Sequence, residues 1–381
     1  GVAISEPALA AALQRNVPII GDIELFARVV DKPVLAVTGS NGKSTVTTLL
    51  GLMAQASNIS AGVGGNLGTA ALSLLDPQHQ CYILELSSFQ LETLQTLRPL
   101  AATILNISPD HMDRYVGLED YAAAKQRIYN NAQHAIFNRA DHFTFPDPEL
   151  NLKTVSFGLD QASNGNYGVM QHSGQAWLAK GDTPLMAVKD LAMLGEHNVA
   201  NALAALAMGE IAGFNMQAML TTLRTFPGLE HRCEKILAVD QVLWVNDSKG
   251  TNVAATVAAL EGLAKSIAGK WIIILGGVGK NADFSPLIAP LQKYCQAAVL
   301  IGEEAEPLWN LLHTTTKCYK ANNLSEVVSI AQQHTHAGDG VLLSPACASF
   351  DMFNNYMHRG ELFKLEVRQR IGKHHATTST T

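Results

Sequence analysis

The 381-residue sequence has no Cys-x-x-Cys pair, and its five cysteines, Cys81, Cys233, Cys295, Cys318 and Cys347, are scattered. That spacing speaks against a zinc knuckle or a disulfide framework and fits reduced, structural thiols. No apolar run approaches the roughly 20 residues that a membrane span needs, and no charged, apolar leader is present; the expectation is a soluble, cytoplasmic protein with no membrane span. Charge is sparse, at 16% of residues, and lacks a basic excess: 27 Lys and Arg stand against 33 Asp and Glu, a net −6. No nucleic-acid partner is therefore expected. An initiator Met is also missing, since the chain opens Gly1-Val2-Ala3 and meets its first glycine-rich motif only at Gly39, which reads as a start partway through something larger. What is present is a 47% hydrophobic composition, ordinary for a packed globular protein, at a length that predicts two or three domains.

Apolar runs alternate with helix-period stretches almost throughout, the pattern of an α/β protein with mostly parallel sheets and crossover helices. Strands are predicted at 33–37, 81–85, 101–105 and 134–137, with helices at 44–56, 87–97 and 119–131. From about 151 to 190, short segments with Gly, Asn and Asp turns predict antiparallel hairpins added to the same sheet. A long Ala-rich helix follows, and then Pro227-Gly228 stops a helix and marks a hinge. Beyond it, a hairpin at KILAVDQVLWVND and strands at 271–275, 297–301 and 340–344 predict a second, smaller Rossmann-like α/β domain. The expected organisation is a central domain at 22–227, a C-terminal domain at 228–372 and a polar, disordered tail at 373–381.

The segment Thr38-Gly39-Ser40-Asn41-Gly42-Lys43-Ser44-Thr45 joins a predicted strand to a predicted helix. Backbone N–H groups in such a loop can converge on one phosphate cluster, the helix N-terminus adds partial positive charge, Lys43 reaches the outer phosphates and Ser44 ligates Mg²⁺. The generic P-loop consensus also demands a glycine at position 37, where this chain has Val37. Glu85 ends a predicted strand, at the carboxyl edge where ligands of parallel sheets gather, and is either a hard ligand for Mg²⁺ or a solvated strand-end carboxylate. His111 follows another strand, and on chemistry alone it is a hydrogen-bonding residue near phosphates, because imidazole is an unusual ligand for Mg²⁺. Asp110 and Asp113 beside it read as orienting or structural. Composition alone makes Lys125 a solvated surface charge.

The shortened loop TGSNGKST resembles that of the Mur ligases and their relatives the folylpolyglutamate synthases, which are ATP-dependent amide-bond ligases. VGGNLG, LELSSFQLE, ILNISPDHMDRY, YAAAKQRIY, GEHNVANALAA, GLEHRCE, VNDSKGTN, LGGVGK and LLSPACASFDMF occur in the family's order across nearly the whole chain. The ELSSFQLE and SPACASFDMF signatures are similar to those of the branch that adds D-glutamate to UDP-N-acetylmuramoyl-L-alanine, and SPACASFDMF speaks against a folate substrate.

The resemblance implies an acyl-phosphate mechanism with ATP and Mg²⁺ in a central P-loop-type domain. ATP contacts fall on Gly39, Ser40, Asn41, Gly42, Lys43, Ser44, Thr45, Asn198, Asn201, Arg232, Asp247 and Lys249, with Asn198 and Asn201 reading the adenine edge. These residues lie on both sides of the hinge, so the resemblance implies a site assembled when two domains meet. Asn198 can equally belong to a capped helix start, in which His197 would serve as well. Metal ligands are Ser44, Glu85, His111 and a carbamylated Lys125, the carbamate derived from CO₂; Lys43, Glu85, His111 and Lys125 form the catalytic set. Thr251, Lys280, Ser349 and Tyr356 correspond to the D-glutamate pocket, although Val278 stands where a polar residue is common and Tyr356 where Phe is usual. Asn66, Ser87 and His111 correspond to contacts with the UDP-sugar substrate, with Ser87 and Ser88 equally readable as N-caps. Residues 1–21 resemble only the last helix and link of the family's N-terminal UDP-binding domain, so the expectation is a monomer that binds ATP and holds the UDP substrate weakly. A non-catalytic ATP-binding fragment is the competing reading.

Overall fold

A computed structural model describes residues 6–112, 114–280 and 282–378. Asp113, given an orienting or structural role above, lies outside the described residues, as do 1–5 of the 1–21 segment and 379–381 of the tail. The chain separates into two compact units, the first taking in the residues up to Ala192 with Asn198–Phe226, the second Met193–His197 and the residues from Pro227 onward.

The first unit is built on a sheet of β1 (Val34–Thr38), β2 (Ala61–Gly65), β3 (Cys81–Glu85), β4 (Ala101–Ile104), β5 (His134–Asn138), β6 (Lys153–Phe157), β7 (Tyr167–His172), β8 (Gln175–Lys180) and β9 (Thr183–Ala187). Their order is β2-β3-β1-β4-β5-β6-β7-β8-β9. Pairing is parallel from β2 through β7 and antiparallel from β7 to β9, so the predicted hairpins extend a parallel sheet. Every residue of β1, β3 and β4 is buried, which is why these strands read as continuous apolar runs rather than alternating ones. Strand β2 has no counterpart in the prediction: with sequence AGVGG it carries little strand propensity of its own and is held by its pairing with β3.

The second unit has β10 (Glu234–Val239), β11 (Val242–Asn246), β12 (Trp271–Leu275), β13 (Cys295–Ile301), β14 (Lys317–Ala321) and β15 (Gly340–Leu343), in the order β10-β11-β15-β12-β13-β14. Only β10–β11 is antiparallel. Ile273, Leu275, Ala298, Leu300 and Leu342 belong to one buried cluster, and Ile272, Ile274, Val299 and Val341 to another. The alternation divides the strand residues between the faces of the sheet.

Three helix expectations change. The helix predicted over 87–97 covers only Ser88–Glu92, because the amides of Gln95 and Thr96 donate to Glu24 Oε2 at 2.9 and 3.0 Å instead of continuing the helical ladder. The one predicted over 119–131 runs over Leu118–Gln126, tightens to a 3₁₀ turn over Arg127–Tyr129 and ends before Asn131, which adopts φ +60°. The last helix, Tyr356–Thr378, continues through 373–378, expected as disordered tail. That stretch contains neither Gly nor Pro, the residues that stop a helix.

Glu24 staples the Asp22–Ala27 helix to the loop after Glu92. Burial raises its pKa, but the two amides, the Thr96 hydroxyl and Arg28 outweigh that and hold it down at about 2, against an ordinary 4.5. A group depressed in the folded state stabilises above its unfolded pKa and loses that contribution as pH falls through its folded one. Glu24→Gln is therefore expected to cost ~2 kcal/mol at pH 7. The deficit should shrink between pH 4.5 and about 2, as read by urea unfolding at pH 7 and near pH 3.

Candidate active site

In the first unit, chain order does not match strand order. β1 lies between β3 and β4, so the chain winds away from β1 in both directions, and the carboxyl ends of those three strands share one edge at the switch point where α/β sheets take ligands. Val37 pairs with Glu85, and Thr38 with Ile104. The loop 39–42, the Glu85 carboxylate and the segment leading to His111 are thereby made neighbours.

The loop enters the Lys43–Ala56 helix through Gly42, its N-cap. Gly42 sits at φ +84°, and a Cβ there would lie 2.5 Å from Asn201 Oδ1, so both conformation and space require glycine. The loop amides are not all turned outward: Ser40 N donates to Asn106 O at 2.8 Å and Asn41 N to Asn106 Oδ1 at 2.8 Å. The first helical turn follows directly, at Lys43, Ser44 and Thr45, where a helix directs N–H groups along its axis. Lys43 Nζ donates to the carbonyls of Gly39 (2.8 Å) and Ser40 (2.9 Å), which seats the ammonium over the loop. Ser44 and Thr45 are buried beside it.

Glu85 is 3% exposed. Its Oε1 accepts from Asn66 Nδ2 at 2.8 Å, and its Oε2 is buried with no hydrogen-bonding partner among the described residues. A buried carboxylate oxygen left unpaired is costly and invites a cation. Asn66, whose own amide donates to Glu85 O at 2.8 Å, here orients that carboxylate. Lys125 corrects the reading from composition, for it is 1% exposed, with Nζ 3.4 Å from Thr38 Oγ1 and 4.6 Å from the Tyr121 ring centre. Burial, and then repulsion from Lys43, push its pKa well below that of an ordinary lysine, while Asp110 and Glu85 oppose the shift. His111 adopts φ +56°, leaves about half its side chain exposed and packs its ring 4.9 Å from Phe89. Its amide donates to Asp110 Oδ1 at 3.0 Å.

Ser87 is an N-cap: its hydroxyl accepts from Gln90 N at 3.2 Å while Gln90 Oε1 accepts from Ser87 N at 3.1 Å, a reciprocal capping box. Ser88 is buried in the first turn of that helix. Asn198 and Asn201 are both buried on the Glu196–Ile211 helix, joined by Asn201 Nδ2 to Asn198 Oδ1 at 3.1 Å, and Asn201 packs on Gly42. His197 groups with the second unit, where burial pushes its pKa down to about 4.

In the second unit Asp247, Lys249 and Thr251 follow the carboxyl end of β11, Lys280 that of β12, and Ser349 and Tyr356 that of β15, while Arg232 precedes β10, whose start pairs with the end of β11 (Glu234 with Asn246). Burial pushes Asp247 up to about 6, opposed by donation from Ser344 Oγ (2.7 Å) and Cys233 N (3.2 Å) and by Arg232. Lys249 Nζ lies 4.4 Å from the Tyr356 ring centre. Thr251 N donates to Lys249 O at 2.8 Å. Lys280 is exposed at φ +53°, two residues beyond Val278, which bridges to Ala348 beside the buried Ser349. The turn holding Lys280 begins at Gly276, where a Cβ would fall 1.9 Å from Ile301 O.

Sequence reasoning overlooked Asn106 and Arg359. Arg359 is fully buried and donates from Nε to Ser248 Oγ (3.0 Å) and from Nη2 to Ser248 O (2.9 Å) and Cys347 O (3.1 Å), tying the Asp247–Lys249 loop to the Ser349 loop. Its place three residues after Tyr356 was the available signal. Glu230, His231 and Glu361 bring potential ligand atoms within 4.8 Å of one another. Lys364 Nζ, however, lies 3.4 Å from Glu230, 3.1 Å from Glu234 and 2.8 Å from Glu361, so a side-chain cation already sits among these carboxylates. Among the described residues no helix is long and apolar enough to cross a membrane.

Comparison with known proteins places these motifs. The Mur ligase middle domain matches residues 37–209, and the Mur ligase, glutamate ligase domain matches residues 231–347. The UDP-N-acetylmuramoylalanine–D-glutamate ligase of Legionella pneumophila (strain Paris) is 47% identical over 372 residues, 97% of this chain and 83% of that protein. Its counterpart in Nitrosococcus oceani is 50% identical over 370 residues, 97% of this chain and 81% of that one. Among solved structures, MurF from Acinetobacter baumannii shares the fold at a TM-score of 0.69 and 22% identity, over 91% of this chain and 78% of that one. MurF ligase from Thermotoga maritima in complex with ADP does so at 0.66 and 17%, over 92% and 86%.

Proposed function

Because this chain belongs to the Mur ligase family, we infer that it is an ATP-dependent ligase that joins D-glutamate to UDP-N-acetylmuramoyl-L-alanine in peptidoglycan precursor synthesis. The observation that carries the chemistry is the edge of the first sheet, where Lys43 lies over its loop, Lys125 is buried nearby and Glu85 keeps an unpaired carboxylate oxygen. In the first step the alanyl carboxylate attacks the γ-phosphorus of ATP, forming an acyl phosphate and releasing ADP. In the second the D-glutamate amine attacks the acyl carbon, phosphate leaves and the amine proton is lost to solvent.

Phosphoryl transfer asks for charge neutralisation and alignment rather than covalent help. Lys43 and the first helical turn supply the fixed part of that field. The buried, unpaired Glu85 oxygen and the Ser44 hydroxyl are hard oxygen donors that fit Mg²⁺, with His111 at the rim. When bound, the ion neutralises phosphate charge. Lys125 is the remaining element: its burial and the charge of Lys43 favour a neutral amine, and a neutral amine takes up CO₂ with release of a proton to form a carbamate, an anion suited to a cationic site. This carbamate reading rests on the family resemblance together with the burial of the side chain.

For the nucleotide, Asn198, Asn201, Arg232, Asp247 and Lys249 are read as contacts. Thr251, Lys280, Ser349 and Tyr356 are read as the D-glutamate pocket, in which Lys280 offers a cation to the side-chain carboxylate. Asn66, Ser87 and His111 are read as the sugar-peptide side. Lys280→Ala is expected to raise KM for D-glutamate tenfold or more, of the order of one charge-assisted hydrogen bond, and to leave KM for ATP near its starting value; equal effects on both would remove Lys280 from the pocket. The activity itself is tested by phosphate release with UDP-N-acetylmuramoyl-L-alanine and, in parallel, D-glutamate, L-glutamate, L-lysine and diaminopimelate. Turnover with D-glutamate alone is expected, and turnover with another amine only would overturn the substrate assignment.

A further inference from the structure

A nucleotide loop works by presenting a fixed set of peptide orientations, and this one contains two positions that resist being fixed. Gly39 and Gly42 sit at φ +148° and +84°, backbone states open to glycine and reached at the cost of conformational freedom. Ser40 and Asn41 lie between them. Rotation of the Ser40–Asn41 peptide would turn the Asn41 N–H away from Asn106 and take the Ser40 carbonyl out of the seat of Lys43.

What holds this stretch is the segment after β4. Leu105 N donates to Thr38 O at 3.0 Å and Ser40 N to Asn106 O at 2.8 Å, continuing the β1–β4 ladder past its strands. The Asn106 side chain then closes a reciprocal pair on the main chain of Asn41: Asn41 N donates to Asn106 Oδ1 at 2.8 Å, and Asn106 Nδ2 donates to Asn41 O at 3.0 Å. Ser108 completes the seam, its amide donating to Ser40 Oγ at 2.9 Å and its carbonyl accepting from Ser40 Oγ at 3.0 Å. A side-chain carboxamide is suited to this task, since it carries a donor and an acceptor in one plane and matches both groups of Asn41 at once. The same segment runs on to His111.

We propose that Asn106 is a positioning residue for the nucleotide: by pairing with both main-chain groups of Asn41 it holds the glycine loop in its phosphate-receiving shape and couples that loop to the His111 segment. The inference rests on the nucleotide reading above. It assigns Asn106 no contact with substrate; its effect is preorganisation, which lowers the cost of ordering the loop when ATP binds.

The test is calorimetric ATP binding in Mg²⁺ buffer by the full chain, with KM values for ATP and D-glutamate measured alongside. Asn106→Ala removes both hydrogen bonds and is expected to raise Kd for ATP roughly 10- to 100-fold while KM for D-glutamate changes by less than about threefold. Asn106→Asp keeps the acceptor for Asn41 N, loses the donor and adds negative charge near the phosphates; its Kd should exceed that of the alanine variant, and it decides the matter if the alanine variant does not fold. ATP binding by either folded variant within about twofold of the parent overturns the proposal, as does a parallel rise in KM for ATP and D-glutamate, the mark of a merely structural role. Failure of the parent chain to bind ATP would instead overturn the nucleotide reading itself, and the proposal with it.

Discussion

Lys43→Ala is expected to lower kcat/KM for ATP-dependent phosphate release by roughly 10³-fold, the scale on which removal of one preorganised charge from a group-transfer site acts. The reason lies in where the ammonium sits. It is held by two loop carbonyls at 2.8 and 2.9 Å, so it is positioned by the same peptides that shape the anion site and needs little rearrangement to meet phosphate oxygens. Charge that develops on the transferring phosphoryl group would then find a partner already oriented, which raises kcat as well as affinity. Lys43→Arg should recover only a small part of the loss, because a planar guanidinium does not substitute for a compact ammonium at a site built around one. Steady-state kinetics with varied ATP and fixed saturating substrate would read this. Alanine and parent chains agreeing within a factor of about ten would exclude Lys43 from the transfer step.

Lys125→Ala should be comparably severe, a fall of roughly 10³-fold or more, and its diagnostic feature is rescue. A lysine 1% exposed, beside Thr38 and against the Tyr121 ring, would stabilise little as a cation so close to Lys43, whose repulsion adds to the effect of burial. As a carbamate it would present an anion where the site has cations to receive it. The alanine variant leaves a space about the size of that side chain, and acetate or formate supplied at high concentration is expected to restore part of the lost kcat. Circular dichroism would verify folding of the variant. A folded chain that no short carboxylate restores would argue that Lys125 acts as an amine or only as packing.

These two lysines mark the limit of what could be read before folding. Lys43 was legible because its neighbours in sequence are its neighbours in the site: a strand end, glycines and a helix start all lie within a single segment. Lys125 was not, since nothing in YAAAKQRIY distinguishes a buried lysine from a solvated one, and only the family resemblance singled it out. Asn66 gives a similar contrast. Its glycine-rich surroundings marked a turn, but its pairing with Glu85 at 2.8 Å depends on β2 lying beside β3. Asn106 sat inside a motif already noticed, yet its partner is Asn41, 65 positions away, a relation that local spacing cannot express. The predicted helix over 87–97 failed for the same reason, because Glu24 claimed the backbone groups it required.

By itself, the sequence determined the alternation of strands and helices, the glycine loop with its lysine, the order of the family's motifs and hence the class of reaction, since each of these is written in short-range pattern or residue chemistry. Tertiary structure alone decided that β1 lies between β3 and β4. That placement brings Glu85, Lys43 and the His111 segment to one edge, buries Lys125 and leaves one carboxylate oxygen of Glu85 unpaired. Strand order and burial arise from packing between distant segments, and the electrostatics of the site follow from that packing rather than from any residue's own ionisation.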